Sequence, residues 1–248
     1  MKIKKIQIKK YSNPKAIYTY GQEKSSNFYI SEGDYAAFQM RIAAILSGDQ
    51  NLKDAFTKYG GDVHSMTTIA IFHTDMELTE FMKLKKENPY KAERSIAKGV
   101  NFSFLFGGSA WSFANDVLKN EWTKERCLQF LKDKNLNVNA EDPFLEAGEF
   151  FRNSYFTKYP KLKDWHEKQH AEARETGMIR CAHGARRLLP RMLYIGRDTD
   201  KKDLSEDQNV SKNSPVQNFE SVVIMRSMRK FRELAKNNNW NSKIFGMI

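Results

Sequence analysis

Between Ala36 and Thr176 nearly every segment carries apolar residues three or four positions apart, while the segments on either side have strand character. That change of period constrains the fold more than any other feature, because it sets a helical block between two pieces of sheet. The opening IKKIQIKKY alternates apolar and basic residues, and NFYIS, Asn27 to Ser31, is a second β-prone run before Gly33. AAFQMRIAAIL, from Ala36 to Leu46, has helical spacing and a stop in Ser47-Gly48-Asp49, so strand, acidic residue and helix follow one another around Asp34. Helical patterning continues through DAFTKY, the run from Ser65 to Phe72, TEFMKLKKE, AERSIAKGVNFSFLF, SAWSFANDVLK, TKERCLQFLKDK and FLEAGEFFRNSYFTKY to Pro160. LKDWHEKQHAEARET adds a helix closed by Gly177. MIRCAH, Gly184 and RRLLPRML then read as strand and turn. GRDTDKKDLSEDQNVSKNS is polar and without apolar period, which predicts an exposed loop. ESVVIMRSMRKFRELAK predicts one more amphipathic helix, and SKIFGMI is an apolar run of strand type. The expected class is α+β, an antiparallel sheet interrupted by a large, mainly helical lobe.

A chain of 248 residues can bury a sizeable core. Its 41 Lys and Arg against 30 Asp and Glu give a formal charge of +11, which favours polyanionic partners, although membrane-surface and merely soluble proteins share such a balance. Cys127 and Cys181 are too far apart in sequence for a disulfide framework or a paired-cysteine zinc site, and a reducing compartment is the simpler setting. MKIKKIQIKKYSN has no apolar core run and does not read as a signal peptide. No segment approaches the roughly 20 apolar residues of a membrane span. The expectation is a protein of the cytoplasm with no membrane partner.

Arg94, Lys98 and Phe102 lie four apart on one predicted helix, so successive side chains turn by only about 40° and share a stripe. Two cations beside an aromatic face suit a nucleoside triphosphate, because guanidinium and ammonium groups bind phosphate oxygens while a ring packs on base or sugar. The same pattern also describes a solvated basic edge beside a core phenylalanine. Taken singly, Asp34 reads as a turn or N-cap residue, His64 as a surface or satisfied core histidine, and Arg186 and Arg187 as surface charge. Asn213 and Gln217 read as turn or capping residues around Pro215.

RSIAKGVNFSFLFG, Arg94 to Gly107, resembles the A-family DNA polymerase helix motif Arg-x-x-x-Lys-x-x-x-Phe-x-x-x-Tyr-Gly. Upstream, GDYAAFQMRIAAILSGD resembles that family's Asp-Tyr-Ser-Gln-Ile-Glu-Leu-Arg motif, and GGDVHS its Asp-Ile-His segment. Downstream, YPKLKDW, HGARRLLP and NSPVQN resemble further segments in the same order, so the likeness runs over nearly everything from Ser31 onward. It implies a palm in residues 1–50, fingers and adjoining helices in 51–180, and a second part of the palm in 181–248. It also implies a DNA-directed DNA polymerase working on primer-template DNA and deoxynucleoside triphosphates. Asp34 would be the carboxylate holding two Mg²⁺ ions, with the backbone carbonyl of Tyr35 on one of them. His64, Arg94 and Lys98 would grip the triphosphate, with Lys98 also a proton donor to the leaving pyrophosphate, and Phe102 would pack on the nucleotide. Arg186, Arg187, Asn213 and Gln217 would meet primer and template, the two amides reading minor-groove acceptors shared by all base pairs.

The resemblance has departures. Gln39 stands where the family usually has a Glu that crowds the ribose 2′ position, and Phe106 where it usually has Tyr, so both halves of an expected hydrogen bond change together. Gln39 remains large enough to exclude a 2′-hydroxyl, which implies retained but altered sugar selectivity, and Phe102 in place of Tyr implies discrimination against dideoxynucleotides. The family's His-Asp-Glu motif, bearing the second metal carboxylate, would follow KIFGMI and is not reached by Ile248. From this we expect a fragment, inactive alone, whose partner is a further polypeptide or exon product carrying that motif, as in a split or intron-interrupted phage gene acting in the host cytoplasm. The alternative is a non-catalytic nucleic-acid or nucleotide-binding module that retains the polymerase fold.

Overall fold

The apolar stripes of the middle block are realised as a succession of helices that meet in an aromatic core. The computed structural model describes residues 7–10, 29–32, 35–194 and 201–240. The chain divides into two compact units, Met1–Phe38 and Gln39–Ile248. In the first, β1 (Gln7–Lys10) pairs antiparallel with β2 (Tyr29–Glu32), Gln7 opposite Glu32 and Lys10 opposite Tyr29. β1 falls inside the alternating segment expected to form it, and β2 overlaps the β-prone run Asn27 to Ser31 and extends one residue past it.

The helices follow in order as α1 (Phe38–Ser47), α2 (Gln50–Thr57), α3 (Val63–Phe72), α4 (Leu78–Leu84) and α5 (Tyr90–Leu105). After α6 (Ala110–Phe113) the chain widens into one π turn, Ala114–Leu118, before α7 (Lys119–Glu121), α8 (Lys124–Asp133), α9 (Pro143–Lys158) and α10 (Pro160–Thr176). Caps set several of these starts. Asp49 is almost fully buried and accepts from the amides of Leu52 (2.9 Å) and Lys161 (3.0 Å), so one carboxylate caps both α2 and α10. Asp142 caps α9 with Pro143 in its first turn.

The core is centred on Phe151 of α9, whose ring lies parallel to Phe130 at 5.1 Å and within 5.9 Å of Phe113, Phe72 and Trp122. Offset and tilted ring pairs of this kind add to the area buried. One turn away, a side chain on Gly148 would come within 2.7 Å of the Ala110 carbonyl oxygen, so α9 and α6 meet backbone to backbone there.

After α10, β3 (Met178–Arg180) and β4 (Arg186–Leu188) form an antiparallel hairpin, and Pro190–Tyr194 is a 3₁₀ turn. The described strands thus pair as two separate two-stranded sheets, one before the helical block in sequence and one after it. SKIFGMI lies outside the described residues. The segment expected to be an exposed loop up to Ser214 is instead helical from Lys201, in a single α11 of 37 residues, Lys201–Asn237, with Pro215 inside it. Polar contacts hold it where apolar ones are sparse. Arg191 binds Asp207 through two nitrogens (2.7 and 2.9 Å) and Asp203 through a third (2.9 Å), and both Asp207 and Ser211 are buried. Leu204 and Val210 pack on the small cluster of Ala173, Ile179, Leu189 and Met192. Among the described residues no helix is long and apolar enough to cross a membrane.

Candidate functional site

The motif helix is α5, and its two faces divide the labour. Glu93, Ile96, Ala97, Val100, Asn101, Phe104 and Leu105 are buried, at the three-and-four spacing of a helix packed on one side. Arg94, Lys98 and Phe102 fall on the other side, with Lys98 exposed and the Phe102 ring 39 % exposed.

Helix α3 packs against α5 and brings His64 to this stripe. Its ring centroid is 5.7 Å from that of Phe102, and the Lys98 ammonium lies 5.9 Å from the same ring on another approach. The orientation of His64 comes from Asn101, a fully buried polar residue. The Asn101 amide nitrogen donates to His64 Nδ1 (3.1 Å) and to the Ala97 carbonyl (2.8 Å), and its oxygen accepts from Thr67 Oγ1 (3.1 Å). With Nδ1 accepting, the neutral imidazole carries its proton on Nε2. Arg94 is held just as firmly. Its Nε–H donates to Ser65 Oγ (3.1 Å) and its Nη2 to Asp62 Oδ1 (2.9 Å), which occupies two of five N–H donors and fixes the plane of the fork.

Asp62 is the hinge of this arrangement. It caps α3 through the Ser65 amide (3.2 Å), and its second oxygen accepts from Lys85 Nζ (2.8 Å). Burial pushes its carboxyl up, but the hydrogen bonds from Lys85, Arg94 and the Ser65 amide, with the Arg94 charge, outweigh burial and hold it well below the usual carboxylate range.

The remaining expected residues are placed as follows. Asp34 lies outside the described residues, while the Tyr35 ring, in the first unit, stacks on Phe38 at 4.6 Å. Among the described residues no three His, Cys, Asp or Glu side chains converge as a metal site. Phe106 is half-buried at the C-terminal cap of α5. Arg186 and Arg187 are exposed neighbours on β4, so their side chains leave opposite faces of the hairpin. Asn213 and Gln217 lie four apart in the interior of α11, which replaces the turn reading around Pro215 and puts them on one side of a helix. The Asn213 side-chain oxygen is buried with no hydrogen-bond partner among the described residues.

Gln39 on α1 donates through Nε2 to Glu220 of α11 (3.0 Å), an acid 181 positions away. The carboxylate that the resemblance assigns to position 39 is thus answered by one at position 220. Gln39→Glu would set two carboxylates at hydrogen-bonding distance, and we expect it to lower stability by about 1–2 kcal/mol at neutral pH. Adding Glu220→Gln should restore most of that in a double-variant denaturation cycle; an unchanged single variant would show that the contact carries no weight.

Sequence reasoning missed Asp62, Ser65, Lys85, Asn101 and Glu220. Two of them left a signal: Asp62 directly precedes a helix, the N-cap position, and Asn101 is a polar residue on the apolar stripe of α5. Lys85 and Glu220 left none.

A family model for DNA polymerase family A matches residues 3–248. The chain is 27 % identical over 214 residues to DNA polymerase I of Caldicellulosiruptor bescii, covering 86 % of this chain and 20 % of the relative. It is 24 % identical over 220 residues to DNA polymerase I of Lactococcus lactis subsp. lactis, covering 89 % and 21 %. It therefore spans about a fifth of the length of these curated relatives. Among solved structures, the POL domain of Pol1 from M. smegmatis in complex with DNA primer-template and dNTP superposes with a TM-score of 0.62 at 20 % identity, covering 86 % of this chain and 31 % of that one. The ordered motifs, the α3–α5 geometry and a family match over almost the entire length place the chain in DNA polymerase family A.

Proposed function

We propose that this chain supplies the deoxynucleoside-triphosphate grip of a DNA-directed DNA polymerase acting on primer-template DNA. The observation that carries the reading is the convergence of His64 from α3 and Lys98 from α5 on the half-exposed Phe102 ring, with Arg94 anchored two turns away on the same helix. Arg94 retains donors beyond those used by Asp62 and Ser65, and its anchored fork suits two phosphate oxygens. Lys98 adds an exposed point charge and a proton source for pyrophosphate, and Phe102 offers its face to the sugar and base. The solved relative with primer-template and dNTP bound supports the choice of partners, as does the formal charge of +11.

On this reading α5 is the fingers helix, and Arg186, Arg187, Asn213 and Gln217 meet the nucleic acid. Gln39 and Phe102 then bear on the ribose 2′ and 3′ positions. Asp34 and the Tyr35 carbonyl are hard oxygen donors of the kind that Mg²⁺ accepts beside substrate phosphates. When bound, two such ions neutralise charge on the attacking and leaving oxygens; the residues of α3 and α5 hold the triphosphate in line. The setting is the cytoplasm, where the buried thiols of Cys127 and Cys181 stay unpaired.

Lys98→Ala is the clean probe, because Lys98 is exposed and tied into no ion pair among the described residues. Equilibrium titration of the chain with a deoxynucleoside triphosphate should show about 10-fold to 100-fold weaker binding in the variant, with unchanged folding. Saturable binding that ignores Lys98→Ala and Arg94→Lys alike would overturn the assignment.

A further inference from the structure

Beyond the nucleotide stripe, at the C-terminal end of α5, lies a second concentration of positive charge. A cavity of about 160 Å³ is lined by Arg152 of α9, by Lys163, His166 and His170 of α10 and by Lys212 of α11, with Glu167 its one carboxylate and Gly107 and Gly108 forming backbone wall. Gly107 has φ of 78°, and a Cβ there would fall 2.3 Å from the Lys212 side chain, so the lysine lies directly against the turn that ends the helix. Among the described residues neither Arg152, Lys163 nor Lys212 forms an ion pair, in contrast to Arg94, Lys85 and Arg191, each of which does.

Part of this cluster satisfies α5 itself. His166 Nε2–H donates to the Leu105 carbonyl (3.0 Å), and Lys212 Nζ reaches the Gly107 carbonyl at 3.5 Å, the limit of a hydrogen bond. Arg152 lies over the Phe156 ring that also lines the cavity, at 5.4 Å, with no hydrogen bond or ion pair to a described residue, and His170 Nε2 is buried without a partner among the described residues. The fixed charges also press on one another and on the two histidines. Burial, then the Lys212 charge, lowers His166 to about 3 and lowers His170 as well, while burial and Arg152 lower Lys212. A small cavity ringed by mutually repelling donors is relieved by an anion. Its volume equals roughly five waters at about 30 Å³ each, below the range of about 300–1,000 Å³ that holds a whole nucleoside or drug-sized ligand.

We propose that this pocket is an anion site that takes a single phosphoryl group, either free as phosphate or pyrophosphate or carried in the backbone of a nucleic-acid strand. It uses none of Arg94, Lys98 or Phe102, and so does not depend on the nucleotide reading of the α3–α5 face.

The test is an NMR titration of the histidine C–H resonances of the full chain with inorganic phosphate, with pyrophosphate and with a short single-stranded oligothymidylate, His170 being assigned by His170→Gln. His166 and His170 should shift saturably, and Lys212→Met, which keeps the packing against Gly107, should weaken the apparent affinity about tenfold or more. Arg152→Gln serves as the second variant if Lys212→Met does not fold. A response to the free anions alone makes the source free phosphate; a response to the oligonucleotide makes it a strand. Failure of all three probes to shift either histidine, or shifts that survive the substitutions, would overturn the site, and neither result depends on whether the chain binds deoxynucleoside triphosphates.

Discussion

Asp62→Ala is expected to cost about 2–4 kcal/mol of folding stability and to weaken nucleotide binding in the same variant. The carboxylate caps α3, receives Lys85 and fixes Arg94. A lost N-cap costs about 0.5–2 kcal/mol and each charged hydrogen bond about 1.5–3 kcal/mol, but Lys85 and Arg94 are partly exposed and regain hydration, so the sum is not realised. Urea denaturation measures the loss, and Asp62→Asn, which keeps the cap and removes the charge, should fall between the two. The pH dependence follows from the depressed carboxyl. The unfolded chain, with Asp62 near 3.8, takes up this proton before the folded chain does, so the contribution is complete above that value and drains away as pH falls through it toward the folded one. Asp62→Ala should therefore flatten the acid limb of the stability curve. A variant as stable as the parent, with an unchanged acid limb, would remove Asp62 from its place in the site.

Phe151→Ala should be costlier still, about 3–5 kcal/mol, because it empties the centre of the aromatic core. The ring is fully buried and is the common neighbour of Phe130, Phe113, Phe72 and Trp122, contributed by α8, α6, α3 and the segment before α8. Collapse around the void is hindered where α9 already touches α6 through Gly148. The contrast is Phe102→Ala, whose half-exposed ring should leave stability within about 1 kcal/mol and act on nucleotide affinity instead. Thermal unfolding of the two variants side by side distinguishes the core ring from the exposed ring; equal losses would contradict the placing of Phe102 outside the packed face of α5.

Much of this was legible before any coordinates, and the reasons are specific. The longer helices between α1 and α10 announce themselves because they bury residues at helical spacing, whereas three-residue α7 buries none, and Arg94, Lys98 and Phe102 share a face by arithmetic alone. The first half of α11 did not, since Asp203 and Asp207 hold it to Arg191 and the buried Ser211 bonds within its own helix, and polar contacts of this kind leave no hydropathic period. The Gln39–Glu220 contact joins residues 181 positions apart, a separation at which a single sequence carries no pairing information. The cluster of Arg152, His166, His170 and Lys212 was invisible for the same reason, being drawn from three helices.

Helix α11 has a mechanical consequence. At about 1.5 Å per residue, its 37 residues make a rod of about 55 Å. It is clipped at Asp207 to Arg191, at Lys212 to the turn ending α5, and at Glu220 to α1. A displacement of α5 along its own axis would strain the middle contact while the other two resist, so the distance between α11 and α5 would report where the motif helix stands. A spin label at exposed Met225 paired with one at exposed Ser95 of α5 would read that position as a distance.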